Sequence, residues 1–392
     1  MHYDAEGLSS PRNHIDFAML IAVLTLMLLS LGVVYSASAS YALAKYGESE
    51  HMLTSHAVKV LLGMLGLFIG SRIDYHKLQG LTKFGVLAAV GLLLVTLVMG
   101  GETKGATRWL RYSSIGFQPS EFAKYALLFH LCTLLAVKGD LIRNFKKGFI
   151  PTMIWIGLVT FLVMLQPNFS MGGMIFLLSI VMMFIGRAKF SHLAITFAVL
   201  APIILLYLLS AEYRRSRIMA FLSGGTKHGY QVSQGILGFG NGGIFGVGPG
   251  ESKQRDFFLP ESYGDFVFSI VGEEYGFVGA TFFLLLFLTV ALRGFKIARF
   301  ARDVFGRNLA IAVTGAITFY ALINAGVTLG ILPTTGLPMP FVSYGGSSMV
   351  FSACAVGVLL NISSQTDLHP RARQVPVVGS VNAGEPNVGK VY

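Results

Sequence analysis

The chain has 392 residues, of which 54% are apolar and only 12% charged, and it carries a formal net charge of +11. A soluble domain cannot cover its surface with so little charge, so the balance places the chain in a bilayer. The positive charge falls in short stretches between long apolar runs, and membrane topology with contact to anionic lipids accounts for it without a nucleic acid.

Runs long enough to cross roughly 30 Å of hydrocarbon predict spans over 15–37, 53–73, 81–99, 119–137, 149–165, 171–185, 193–209, 266–292, 309–329 and 347–362. The expected fold is an all-α integral membrane protein of about ten transmembrane helices. The first run is too long for the apolar core of a signal peptide and is followed by further spans, so it is expected to be retained as a helix. The 266–292 run is too long for one straight span, so part of it is expected in the external interface. Residues 1–14 form a cytoplasmic tail, 15–364 the membrane domain, and 365–392, with Pro370, Pro376 and Pro386, a disordered cytoplasmic tail.

Arg72, Lys77, Lys83, Lys138, Arg143, Lys146, Lys147, Arg187, Lys189 and the Arg293–Arg307 cluster fall on one side of this arrangement. Lys45, Lys104, Arg108 and Arg111 fall on the other, so both termini are expected to be cytoplasmic. Cys132 and Cys354 both lie within spans, which argues against a disulfide or thiolate metal site.

Arg108 and Trp109 belong to an external loop, where interface anchoring is their default role and an anionic lipid headgroup the alternative. In GFQPSEFAKY, Pro119 opens a helix and Glu121 and Lys124, three residues apart, share a face. Charges at this depth require a partner or a wet cavity, so a structural ion pair and a substrate site are both open.

The longest connection, the external loop over 211–264 between the seventh and eighth spans, is where function is expected to concentrate. It carries Arg214, Arg215 and Arg217, then GILGFGNGGIFGVGPGES. Gly238, Gly240 and Gly243 match a dinucleotide-binding spacing, but no strand or βαβ unit surrounds them. A tightly turned loop packed on the bundle is the preferred reading, with phosphate binding by its amides as the alternative.

Asp265 closes the loop, with Phe257, Phe258, Phe266 and Phe268 around it in sequence. Apolar surroundings would make it a stronger base, whereas capping the eighth helix is the competing role. A helix running on from Asp265 puts Glu273 within about 80° of its face and Glu274 opposite, unless either acid sits in water at the interface. The histidines, His228 included, show no metal-ligand spacing.

VVYSASA near Tyr35, GATRWL, FQPSEFAK, GYQVSQ, FLPESYGDF, VGEEYG and GLPMPFVSYGGSS recur here in an order that resembles the FtsW/RodA (SEDS) family, over about 16–364. The resemblance implies a peptidoglycan glycosyltransferase that polymerises lipid II on the external face, with Asp265 as catalytic acid residue. It also marks Gln231, Gln234 and Ser343 as substrate-binding candidates beside Glu121, Lys124, Arg108, Trp109, Arg214 and Arg217. Tyr263 and Gly264 stand where the family often has His-Thr, and Asn168 where many members carry an acid.

The implied chemistry is an inverting transfer. Asp265 takes the proton of the acceptor hydroxyl and undecaprenyl pyrophosphate leaves, its charge met by Arg214, Arg215, Arg217, Lys124 or a divalent cation (Mg or Mn) held mainly by pyrophosphate oxygens. QRDFFLPES and the polar tail favour the cell-division FtsW branch over the elongation RodA branch. The implied partners are a class B penicillin-binding protein (a transpeptidase), other division or elongation machinery, and membrane lipids. A lipid II flippase or transporter and a division scaffold are the alternatives. A transporter would place its charges at the midplane, whereas the ionisable residues here gather toward the external side.

Overall fold

The computed structural model describes residues 14–103, 106–112, 115–210, 212, 215, 219, 221, 229–366 and 368. Its helices are α1 (Phe17–Tyr46), α2 (His51–Arg72), α3 (Tyr75–Met99), α4 (Pro119–Lys138), α5 (Ile150–Leu165), α6 (Phe169–Ile185), α7 (Phe190–Leu209), α8 (Tyr230–Gly242), α9 (Val267–Phe300), α10 (Val304–Thr328) and α11 (Gly346–Ser364). Among the described residues eight helical segments are long and apolar enough to cross a membrane, namely α1 to α3, α9 to α11 and, with the helical turns that adjoin α4 and α5, Pro119–Arg143 and Phe145–Leu165, while Phe169–Ile185 and Phe190–Ile203 are shorter apolar helices at the other two expected positions. The protein is a multi-pass, α-helical membrane protein.

Acidic residues start three of the helices at one end of the bundle. Asp16, Asp74 and Asp303 accept from the amides of Met19, His76 and Gly306 at 3.0, 3.0 and 2.8 Å, each satisfying an amide that the first helical turn leaves without a partner. Asp16 also pairs with Arg293 of α9, at 2.6 Å from Nη2. Asn361 of α11 accepts from the Tyr75 amide at 3.1 Å and donates to the Ser71 carbonyl at 3.0 Å. These bonds tie α1, α2, α3, α9 and α11 together at this end.

Further along the bundle, α2 and α11 meet through glycine. A Cβ on Gly70 would lie 2.5 Å from the Cys354 carbonyl oxygen, and one on Gly357 would lie 2.3 Å from that of Leu67. Between apolar helices in lipid, such close backbone approach takes over the role that water exclusion plays in soluble cores. Gly357→Ala is therefore expected to force the pair apart at a cost of about 1–3 kcal/mol, seen as a clear loss of thermal stability in detergent. An unchanged melting temperature would mean that the two helices slide freely.

Three features depart from the sequence reading. First, residues before α4 form a small antiparallel sheet of β1 (Gly101–Thr103), β2 (Ala106–Tyr112) and β3 (Ile115–Phe117), with β2 central. Second, half of the glycine-rich run is the helix α8 rather than a turned loop. Its buried Gly235, Gly238 and Gly242 recur at helical spacing, and a Cβ on Gly242 would lie 2.0 Å from the Gly272 carbonyl oxygen of α9.

Third, the eighth span runs on to Phe300 and is broken at Gly276 (φ 64°), with its first part buried in the bundle. The break frees two amides and two carbonyls, and residues 243–248 take all four. Phe277 and Val278 donate to the carbonyls of Gly243 and Ile244 at 2.9 and 3.1 Å, while Val247 and Gly248 donate to those of Glu273 and Glu274 at 3.0 and 3.1 Å. Irregular backbone inside a membrane protein persists only where its polar groups are satisfied in this way.

Candidate functional site

Asp265 lies at the opposite end of the bundle from Asp16, on the segment that enters α9. Three consecutive carbonyls hold this segment in place. Tyr263 O accepts from the Tyr344 amide at 2.9 Å, Gly264 O from Ser343 Oγ at 2.8 Å, and Asp265 O from Asn324 Nδ2 at 2.8 Å. Ser343 Oγ in turn accepts from the Met339 amide at 2.8 Å, and Asn324 Nδ2 also donates to Leu337 O at 2.9 Å. The backbone under the acid is thus fixed by α10 and by residues 337–344, while the half-buried Asp265 side chain keeps a route to solvent.

The N-cap position of α9 is Phe266, which makes no side-chain cap bond, so the acid stands one residue outside the position that the capping reading requires. Its Oδ2 instead lies against Gly336, where a Cβ would come within 3.2 Å of it and where φ is +69°. Glycine is needed there both for the backbone conformation and for room beside the carboxylate. The four phenylalanines do not form one apolar collar, because Phe266 and Phe268 are buried whereas Phe257 and Phe258 are 63% and 53% exposed.

Aromatic side chains line the way from Asp265 to α2. The Tyr263 ring meets that of Tyr41 at 5.3 Å and that of Tyr344 edge-on at 5.9 Å. Burial, with the Tyr41 phenol beside it, pushes the Tyr263 phenol up, so it remains a neutral hydroxyl. Tyr344 is seated on α2: its hydroxyl donates to Ser55 Oγ at 3.1 Å, and the Lys59 ammonium stands over its ring at 3.4 Å.

The other expected site residues divide sharply. Glu121 and Lys124 are paired at 2.7 Å and are 1% and 2% exposed, with the ammonium also over the rings of Tyr125 and Tyr320. They form a buried ion pair on α4, closed to solvent. Arg108 donates from Nε to Gln166 O at 3.3 Å and from Nη2 to Pro167 O, which clamps the sheet onto the α5–α6 turn. Trp109 packs within the sheet against Gly116. Gln231 Nε2 donates to Pro260 O at 3.3 Å, and Gln234 is half-buried on α8. Ser343 is 3% exposed and spends its hydroxyl on the backbone under Asp265, so it positions that segment.

Arg214, Arg217 and His228 lie outside the described residues, and Arg215 is exposed beside Glu212. Glu273 and Glu274 are both buried, not in interfacial water, because α8 and residues 247–254 cover them. Glu273 accepts from Asn241 Nδ2 at 3.1 Å, the Gln254 amide at 3.2 Å and Ser252 Oγ, and Glu274 accepts from Ser36 Oγ. A cavity of about 380 Å³ beside Glu273 is lined by Asn241, Val247, Glu251 and Lys253.

Sequence reasoning missed Asn324, Gly336 and Lys59. Lys59 alone left a signal, as the one charged residue in the apolar run of α2 before Arg72.

The family model described as cell cycle protein, of the FtsW, RodA and SpoVE type, matches residues 17–368. A protein named probable peptidoglycan glycosyltransferase FtsW, from Geobacter metallireducens, is 36% identical over 362 residues, covering 89% of this chain and 95% of that protein. Stage V sporulation protein E of Bacillus subtilis is 35% identical over 352 residues, covering 88% and 96%. Among solved structures, a chain of a peptidoglycan synthase complex superposes with a TM-score of 0.75 at 26% identity, covering 90% of this chain and 98% of that one. The rod shape determining protein RodA of Thermus thermophilus superposes with a TM-score of 0.67, also at 26% identity and the same coverage.

Proposed function

Since this chain belongs to the FtsW/RodA/SpoVE family and is a peptidoglycan glycosyltransferase of the FtsW branch, we propose that it polymerises lipid II into glycan strands, with Asp265 as the general base. The observation that carries this reading is the acid itself. Asp265 is a half-buried carboxylate, one residue before the N-cap position of α9, on a backbone held by three successive hydrogen bonds from distant segments. Such fixing of a base relative to its substrate is worth far more to a transfer than proximity alone.

In the proposed step the Asp265 carboxylate takes the proton of the acceptor sugar hydroxyl while that oxygen attacks the anomeric carbon of the lipid-linked donor. The new glycosidic bond forms on the face opposite the leaving group, the carbon–oxygen bond to pyrophosphate breaks, and undecaprenyl pyrophosphate departs with the electron pair. The base sits on the external side of the cytoplasmic membrane, the termini being cytoplasmic, which follows from the placement of Lys and Arg. A divalent cation, Mg or Mn, belongs to this proposal as one carried mainly by pyrophosphate oxygens. Among the described residues no three His, Cys, Asp or Glu side chains converge to cage it, and no step is routed through it.

A class B penicillin-binding protein is the proposed partner, supported by the likeness to a chain of a peptidoglycan synthase complex. Purified protein, reconstituted alone or with that transpeptidase, is expected to convert lipid II into glycan polymer resolved by gel electrophoresis. Movement of lipid II across vesicle membranes with no joining of disaccharides would sink the transferase reading in favour of a transporter.

A further inference from the structure

We infer that Lys59 is a substrate-binding residue whose ammonium receives the pyrophosphate of the lipid-linked donor, an inference that rests on the glycosyl-transfer reading above. Lys59 is the one Asp, Glu, Lys or Arg of its helix from His51 to Ser71, and an unbroken apolar or glycine run follows it to Gly70. An ammonium at such depth is expensive and calls for a partner. Among the described residues no carboxylate pairs with it within 4.0 Å, and its contact is the face of the Tyr344 ring, 3.4 Å from Nζ. An aromatic face offers a quadrupole and no counter-charge, so the ammonium remains able to take an anion. Lys124 is the contrasting case, being sealed in the bundle with Glu121 at 2.7 Å and having no charge left to offer.

The place of Lys59 matches the demand of the reaction. Tyr344 connects it to the acid: the ring under the ammonium meets the Tyr263 ring at 5.9 Å, and the Tyr344 amide holds Tyr263 O, two residues before Asp265. The hydroxyl of Tyr344 is fixed on Ser55, a Cβ on Gly346 would come within 3.3 Å of the Lys59 stem, and Lys59 is half-buried, so glycine leaves the room in which the stem lies. A base and an unpaired cation thus stand on one connected surface. A sugar–pyrophosphate bond requires that pair, the base toward the acceptor hydroxyl and the cation toward the departing charge. The pyrophosphate is the densest negative charge of the donor and adjoins the bond that breaks, which makes it the group that an ammonium beside the base would take.

The test uses the full chain in phosphatidylcholine nanodiscs, with undecaprenyl pyrophosphate as probe, undecaprenol as its uncharged control, and lipid II turnover measured in parallel. Lys59→Met should weaken undecaprenyl pyrophosphate binding about tenfold or more, leave undecaprenol binding unchanged, and raise KM for lipid II more than it lowers kcat. Lys59→Arg should restore most of the binding. Equal affinity of parent and Lys59→Met for the pyrophosphate overturns the inference, as does an equal loss for undecaprenol, which would mark a collapsed site. If phosphatidylglycerol added to the nanodiscs abolishes the difference between parent and Lys59→Met, the ammonium takes bulk headgroup phosphate and the inference is again overturned. A parent that binds the pyrophosphate through Lys59 yet polymerises no lipid II overturns the transferase reading alone, whereas an active parent matched by Lys59→Met overturns Lys59 alone.

Discussion

Asp265→Asn is expected to lower lipid II polymerisation by about a hundredfold or more while leaving the protein folded. The amide cannot accept the acceptor's proton, and general-base catalysis contributes roughly 10²–10⁴ to such a step. The fold should survive because the bond from Asn324 goes to the backbone oxygen of Asp265, and α9 takes no side-chain cap from its cap residue. Asp265→Glu tests placement: one methylene moves the carboxylate by about 1 Å, a displacement that can cost about a hundredfold where positioning is tight. The carboxylate already lies against Gly336, whose backbone limits how the longer side chain can turn. Lipid II turnover is to be compared at matched protein levels, with thermal melting as the control. Full turnover by a well-folded Asp265→Asn variant would remove Asp265 from the chemistry.

The second large effect is expected at the buried pair of α4. Lys124→Ala should destabilise the protein by about 3–5 kcal/mol, since it strands the Glu121 carboxylate without its counter-charge in a sealed site. Removing both charges with volume retained, as in Glu121→Leu with Lys124→Met, should recover most of that loss, because the pair contributes little net stability once its desolvation is counted. Thermal melting of the two single variants and the double variant in detergent gives the comparison. Equal stability in all of them would mean that both charges are solvated, against the 2.7 Å separation and near-complete burial seen here.

The membrane helices were legible in the sequence because hydropathy and length are one-dimensional quantities, and the apolar runs carry them without reference to any other segment. The Glu121–Lys124 pair was legible as well, since helical spacing alone brings the two side chains together. What could not be read were contacts between distant segments. Nothing in FLPESYGDF says that its carbonyls will be held by Asn324, which lies 59 residues further on, and by Ser343 and Tyr344, which lie about eighty residues further on. The burial of Glu273 and Glu274 was not legible for the same reason: Asn241 of α8, a helix whose run of glycines disguised it as a loop, donates to the first, and Ser36 of α1 donates to the second. The glycines at 235, 238 and 242 do keep helical spacing, and in a lipid setting that spacing is the signal to seek.

The hydrogen bonds under Asp265 also dictate when the proposed active site comes into existence. During synthesis the segment 263–265 emerges well before Asn324, Ser343 and Tyr344, which supply its three backbone donors. Until α10 and then α11 have been threaded into the bilayer and closed against α2, the carboxylate has no fixed position. On the proposed mechanism a partly inserted chain therefore cannot join sugars, and competence switches on only after α10 and residues 337–344 are in place: the order of translation is itself a safeguard against premature polymerisation by an unfinished molecule.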